Sequence, residues 1–326
     1  MSDRVIALDV GGSKIAAALV GSGGEISHAR HVPTSRADLA SLVDQVVGLV
    51  DDLAVRAAGT ASAVGIAVPG IVDPVTGTAL VAANLPWRDT PLAALVSRRC
   101  GLPTTVGNDG DGAVLAEKWF GAAQQRQHFA CITIGTGIGG GIVIAGALLR
   151  GSRNSGCEIG HMVIDPAGPR CRCGSPGCLE VLAAGPAIAA RVRAAGGQAD
   201  DAKDVIDAAH AGDRIALDVL RRTAGYLAVA VLNVWRLFEP EVLVLGGGVA
   251  AAGPLLRRPL LDHLEVLTPR RRIPAEAIVC STIHRSASYL AAAALVLEAA
   301  AAAPARPQGP AAASVPPAPR HTSPGD

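Results

Sequence analysis

Aromatic residues are nearly missing from this chain of 326 residues: three Phe, three Trp and two Tyr amount to 2% of it. Any core must therefore be built from Val, Ile, Leu and Ala, which suits a buried, partly parallel sheet under alanine-rich helices. Lysine is almost as scarce, with only Lys14, Lys118 and Lys203 among 29 basic residues. Those 29 stand against 28 acidic residues, a formal net charge of +1. A chain with no basic excess lacks the surface that nucleic-acid or anionic-membrane binding requires, so neither is expected as a partner. No secretory leader is expected, since Met1-Ser-Asp-Arg4 runs directly into a short apolar segment broken by Asp9 and Lys14. The charge-free stretch 129–149 holds six glycines, which predicts two strands around a glycine loop rather than a membrane span. Seven cysteines, three of them within residues 171–178, point to a metal in a reducing compartment and not to a disulfide framework. The expected location is the cytoplasm.

What is present is apolar: half of the chain is hydrophobic, enough for two cores, and a prior of roughly 150 residues per domain suggests two lobes. Periodicity predicts strands over 4–10, 15–20 and 25–32, then an amphipathic helix over 36–58 and a strand over 62–68. Helices over 91–100 and 110–120 flank a strand at 104–107, and strands at 129–134 and 141–146 enclose the glycine loop 135–141. An irregular segment, 150–178, precedes a region dominated by helices from 186 to 237. Strands at 241–245 and 277–280 and an alanine-rich helix at 285–303 follow. Residues 304–326 include seven prolines and predict a disordered tail.

Four motifs carry chemistry. In Asp9-Val-Gly-Gly-Ser-Lys14, glycines between two strands let backbone N–H groups approach an anion, and Asp9 can hold a phosphate-bound Mg²⁺ through water. Alone, the motif also reads as an ordinary charged hairpin. The run from Gly135 to Gly141 contains G-x-G-x-x-G, but it leads into Ile142-Val-Ile-Ala, a strand, whereas a dinucleotide fingerprint opens a helix. No P-loop pattern occurs. Two glycine hairpins, with Gly246-Gly247-Gly248 as a third close approach, instead suggest two lobes clamping a nucleotide's phosphates. The spacing His161-x9-Cys171-x-Cys173-x4-Cys178 supplies one imidazole and three thiolates, a closed structural Zn²⁺ shell turned by Gly174, Pro176 and Gly177. Such a site is worth roughly 10–16 kcal/mol of apparent binding, enough to order a loop with no core of its own. Cys100, Cys131, Cys157 and Cys280 lie in apolar stretches and read as packing residues. Finally, Asn108-Asp109 precedes a helix, where either residue is an ordinary cap. Asp109 and Asp111 are two apart and would not share a helix face, so at most one is catalytic.

In this order and spacing, Asp9 to Lys14, Gly65 to Asp73, Asn84 to Trp87, Asn108-Asp109, Gly135 to Gly141, Glu158-Ile-Gly-His161, Cys171 to Glu180 and Leu245 to Ala250 resemble the ROK family of bacterial sugar kinases and repressors, over about residues 4–300. The resemblance implies a two-lobed α/β protein of the actin-like, ribonuclease-H-like ATPase fold, with sugar and Mg-ATP meeting in the cleft between lobes. The lobes would be 1–107, joined by the helix 285–303, and 108–284, which carries the zinc loop 157–180. Asp109 matches the family's catalytic base. Asn108, Asp109, Glu158, His161 and Glu180, with Gly70 and Asn84 close by, would hold the sugar hydroxyls. Asp9, Gly11, Gly12, Ser13, Lys14, Gly135, Thr136, Gly137, Gly247 and Gly248 would hold the nucleotide. His161 would serve twice, one ring nitrogen on zinc and the other on a hydroxyl. The implied activity is ATP-dependent phosphorylation of a hexose, glucose at its 6-hydroxyl first. An amino sugar (glucosamine, kanosamine or N-acetylmannosamine) is the alternative, and a non-catalytic sensor or a repressor is a distant one. A repressor would carry a helix-turn-helix ahead of the first hairpin, which here begins at residue 9. A homodimer is the family's habit. Ser13 replaces the family's usual Thr, Gly110-Asp111-Gly112 replaces a segment more often containing Ala and Asn, and Arg88 stands beside the expected sugar pocket.

Overall fold

The computed structural model describes residues 4–82, 84–283 and 286–302; the tail at 304–326 lies outside the described residues. The chain opens with β1 (Arg4–Val10), β2 (Lys14–Val20) and β3 (Ile26–Pro33), an antiparallel meander. Helix α1 (Leu39–Ala57) starts at Asp38, whose side chain accepts the Ser41 N–H at 2.7 Å, and buries Leu42, Val46, Val50 and Leu53. It returns the chain to β4 (Ala61–Val68), parallel to β1. Three short strands, β5 (Ile71–Asp73), β6 (Thr78–Val81) and β7 (Arg88–Thr90), form a small separate antiparallel sheet. They are too short to show a period and were not legible in the sequence. Helix α2 (Leu92–Cys100) and β8 (Thr104–Asn108) complete a five-stranded sheet of order β3-β2-β1-β4-β8.

The second sheet repeats this plan. After α3 (Asp109–Phe120) come β9 (Phe129–Ile134), β10 (Ile138–Ile144) and β11 (Ala147–Leu148), again an antiparallel meander. The helices α4 (Leu179–Ala183), α5 (Gly185–Ala194), α6 (Ala202–His210) and α7 (Arg214–Phe238) lead to β12 (Val242–Gly246), parallel to β9. Helix α8 (Pro254–Leu267) and β13 (Ile278–Cys280) finish the order β11-β10-β9-β12-β13, and α9 (Ala287–Ala302) follows. Residues 129–149 are thus strands, and among the described residues no helix is long and apolar enough to cross a membrane. The expected glycine loop 135–141 is tighter than its composition suggested. Gly139, Gly140 and Gly141 belong to β10, and only Gly135-Thr136-Gly137 forms the turn. Between 150 and 178 the one regular element is a 3₁₀ turn, Ile159–His161.

Helices α3 and α9 lie between the two sheets. Their apolar residues (Val114 and Leu115, Leu290 and Ala292) share one core with Ala7 and Ala67 of the first sheet and with Phe129 and Cys131 of the second. Because α9 is covered on several sides, it is alanine-rich and has no single apolar stripe. Its backbone comes so close that a Cβ on Gly65 would lie 2.0 Å from the Ala292 carbonyl oxygen. A Cβ on Gly112 would lie 3.1 Å from the Ala291 carbonyl oxygen, which accounts for the unusual glycine early in α3. Lys118 of α3 locks the layer by donating to Glu298 of α9 at 2.7 Å and to the Gly146 carbonyl at 2.6 Å. Gly65→Ala should therefore lower stability by about 1–3 kcal/mol through overpacking, read as a lower Tm. Gly48→Ala on α1, where nothing lies within 4 Å of the added carbon, is the control that should not lower it.

Candidate active site and metal centre

The carboxyl ends of the parallel strands β1, β4 and β8 meet at one place, the usual position for a ligand in an α/β sheet. Asn108, the last residue of β8, has two structural tasks. Its Oδ1 accepts the Asp111 N–H at 3.0 Å, capping α3, and its Nδ2 donates to the Gly70 carbonyl at 2.8 Å. The cap is what aims Asp109, the first residue of α3. The Asp109 carboxylate faces open space yet is walled on most sides. Burial, then the charge of Asp9 and more weakly that of Asp111, pushes its pKa up to about 6, against a hydrogen bond from the Gly110 N–H at 2.9 Å. Burial likewise raises the pKa of Asp9, opposed by the Ser288 hydroxyl, Lys14 and His31.

A cavity of about 300 Å³ opens beside Asp109. It brings together four of the expected sugar residues, Gly70, Asn108, Asp109 and Glu158, and adds Asp111 and Arg150. The other three lie elsewhere. Asn84 lines a separate open cavity of about 710 Å³ with Gly12 and Ser13. Glu180 accepts the Ile138 N–H at 3.0 Å and lies against Gly137, so it braces the second glycine turn. His161 faces three thiols.

The first glycine hairpin is held from the end of β3. Thr34 donates its hydroxyl to the Gly11 carbonyl at 2.7 Å, and Arg36 donates through Nε and Nη2 to the Gly12 carbonyl at 2.9 and 2.6 Å. The second turn is closed by Gly135 N–H to the Gly137 carbonyl at 2.9 Å and tied to α5 by Gly185 N–H to the Gly135 carbonyl at 2.7 Å. Gly247 packs beneath it, where a Cβ would lie 2.4 Å from the Ile134 carbonyl oxygen. Thr34, Arg36, Ser288 and Arg150 were not singled out as site residues from sequence. They act across long separations, and no local spacing marks them.

His161, Cys171, Cys173 and Cys178 place their four donor atoms within 4.8 Å of one another. The His161 Nδ1 is 3.7 Å from the Cys171 sulfur, and Cys173 and Cys178 are 3.5 Å apart at sulfur. A tetrahedron with metal bonds of about 2.0–2.3 Å has edges of about 3.5–3.8 Å, so the donor set fits a closed zinc shell. Gly177 makes the fold-back: its φ is +58° and a Cβ would overlap the Asp165 carbonyl. With Nδ1 toward the thiols, the Nε2 of His161 is left for another partner.

Two sheets of the same order, each contributing a glycine hairpin and joined by helices between them, define the actin-like ATPase fold. The model of the ROK family matches residues 5–299. The chain belongs to the ROK family. It is 33% identical over 314 residues to the glucokinase of Thermotoga maritima, covering 90% of this chain and 98% of that protein. It superposes with a TM-score of 0.76 on the ROK family glucokinase from Streptomyces griseus in complex with glucose and AMPPNP, at 34% identity over 90% of this chain and 98% of that one. It is also 33% identical over 278 residues to the N-acetylmannosamine kinase of Shigella flexneri, covering 82% of this chain and 94% of that protein.

Two outcomes follow from this geometry. Asp109 binds more protons folded than unfolded between its ordinary 3.8 and about 6, so its ionised form opposes folding above that window. Asp109→Asn should therefore raise Tm at pH 7.5, and the gain should fade as pH drops through 6 toward 3.8 in a thermal melt series. The purified protein should carry zinc, measured by atomic absorption, and stripping it with a chelator should increase proteolysis within 157–180 before the rest of the chain is cut.

Proposed function

We propose that this sugar kinase transfers the γ-phosphoryl group of ATP to a hexose, glucose at its 6-hydroxyl, with Asp109 as general base. The observation that carries the reading is the placement of Asp109: it lines a polar, sugar-sized cavity, and it lies close enough to Asp9, beside the first glycine hairpin, for that charge to help raise its pKa. The sugar hydroxyls bind Asn108, Glu158 and the Gly70 backbone, with Glu180 and His161 joining from the second turn and the metal loop. The nucleotide phosphates lie on the backbone of Gly11, Gly12, Ser13, Gly135, Thr136 and Gly137, beside Lys14, and Gly247-Gly248 passes under the nucleoside. Asp9 would hold a phosphate-bound Mg²⁺ through water, and that ion would neutralise charge on the β- and γ-oxygens.

The 6-hydroxyl proton passes to an Asp109 carboxylate oxygen as the O6–P bond forms and the bond from phosphorus to the ADP oxygen breaks. A base with a pKa of about 6 is mostly ionised at neutral pH, and the hydroxyl acidifies only as the O–P bond develops. Positioned general-base action supplies about 10²–10⁴-fold, while alignment and charge neutralisation supply much of the remainder. The lobes that close on the substrates are residues 1–107 with the C-terminal helix and residues 108–284. The packing of α9 on β1, β4 and β8 supports that division.

A second reading, amino-sugar phosphorylation, draws on the three carboxylates Asp109, Asp111 and Glu158 around the cavity, which suit a cationic acceptor. ADP release with Mg-ATP across hexoses and amino hexoses separates the two. Glucose should give the highest kcat/KM, and preference for an amino sugar would replace the first reading with the second. Asp109→Ala should lower kcat by about 10²–10⁴-fold or more with the far-UV spectrum and zinc content unchanged. Full activity in that variant would remove Asp109 as the base, and a well-folded wild type silent on every sugar would refute the kinase assignment.

A further inference from the structure

Residues 150–157 form the outer wall of the cavity beside Asp109, with Asn154, Ser155, Gly156 and Cys157 all facing it. The wall has no regular secondary structure, and it turns through positive φ at Gly151 (71°), Asn154 (53°) and Cys157 (60°). Two of these are non-glycine residues in a region that costs energy to occupy, so the conformation needs outside support. Arg150 supplies it from both ends. Its carbonyl accepts the Gly156 N–H at 2.9 Å, which closes the wall into a small loop. Its Nε donates to Oδ2 of Asp111 at 3.0 Å, which fastens that loop to the first turn of α3, two residues after Asp109. Both side chains are about one-third exposed or less, and Arg150 is the one cation among the described residues lining the cavity.

We propose that the Arg150–Asp111 ion pair is a clasp that holds the wall of the sugar pocket against the catalytic helix, making Arg150 and Asp111 positioning residues for sugar binding. The proposal rests on the reading of this cavity as the sugar site. It gives a role to Asp111, which the segment Gly110-Asp111-Gly112 places where the resemblance leads one to expect a different residue. The pair also balances charge: unpaired, Asp111 would put a second partly buried carboxylate close to Asp109, in a site that must accept an anionic nucleotide. Arg suits the task better than Lys because its planar fork fixes direction as well as charge.

The test uses the full chain with its metal, Mg-ATP and glucose, or the best acceptor of the sugar panel. Arg150→Ala and Asp111→Ala should each raise the sugar KM about tenfold while the ATP KM stays within about twofold, and the double variant should be no worse than the poorer single one. Arg150→Lys should recover part of the loss. A readout independent of turnover is alkylation of Cys157 by iodoacetamide, followed by peptide mass spectrometry. It should quicken several-fold in Arg150→Ala and slow in wild type when sugar is added. Additive losses, equal rises in both KM values, or an unchanged Cys157 rate in Arg150→Ala would overturn the clasp. A wild type without sugar turnover would sink the kinase reading alone, since faster Cys157 alkylation in Arg150→Ala would still establish the clasp.

Discussion

The close seating of α9 on Gly65 and Gly112 is the contact on which the rest of the molecule depends. Two sheets of identical order could each fold around their own helices and remain independent. What joins them is a shared layer in which α3 and α9 approach backbone to backbone. Side-chain-free positions on β4 and α3 permit that approach, and the Lys118–Glu298 pair, about four-fifths buried on both sides, keeps the two helices from sliding. Because α3 starts at the sheet edge and runs into this layer, the position of Asp109 relative to both glycine hairpins follows from how α9 packs.

One amide then converts that packing into a site. Asn108 satisfies an orphan N–H of α3 with its oxygen and reaches Gly70 with its nitrogen, so the ends of β8 and β4 and the helix start move as a unit. Capping and catalysis are often weighed against each other as explanations of such a residue. Here the cap is the means by which the neighbouring carboxylate is aimed. The same economy recurs at Glu180, which braces the second glycine turn from the helix that follows the metal loop, and at His161, whose Nδ1 faces the thiols while Nε2 stays free.

The metal loop illustrates a different balance. Residues 150–178 contain almost no regular structure, and their backbone folds back through a glycine that nothing else could replace. A loop of this kind has only a few apolar anchors, such as Ile159, Met162 and Ile164, to offset its ordering entropy. Ligation of one ion by the three thiolates and the imidazole would supply further free energy, with Glu158 and Glu180 at the two ends of the loop.

Much of the architecture was legible from residue patterns alone. Short apolar runs rich in β-branched residues, such as Val5 to Leu8 and Val242 to Leu245, read as buried strands, and the four candidate metal donors are marked by spacing because turn geometry is local. The glycine hairpins were visible for the same reason. Patterning also placed Asp109 at a helix start, and the family resemblance supplied the role proposed for it. The tertiary structure decided what depends on distant approach. It decided that Gly139 to Gly141 extend a strand, because Gly140 faces the Cys131 carbonyl where a Cβ would lie 2.4 Å away. It decided that Asn84 and Glu180 lie at the glycine hairpins, and that Arg36 reaches the first hairpin and Arg150 the cavity beside Asp109. Sequence spacing reports neighbours along one element, whereas these contacts join elements brought together only by the packing of two sheets around α3 and α9.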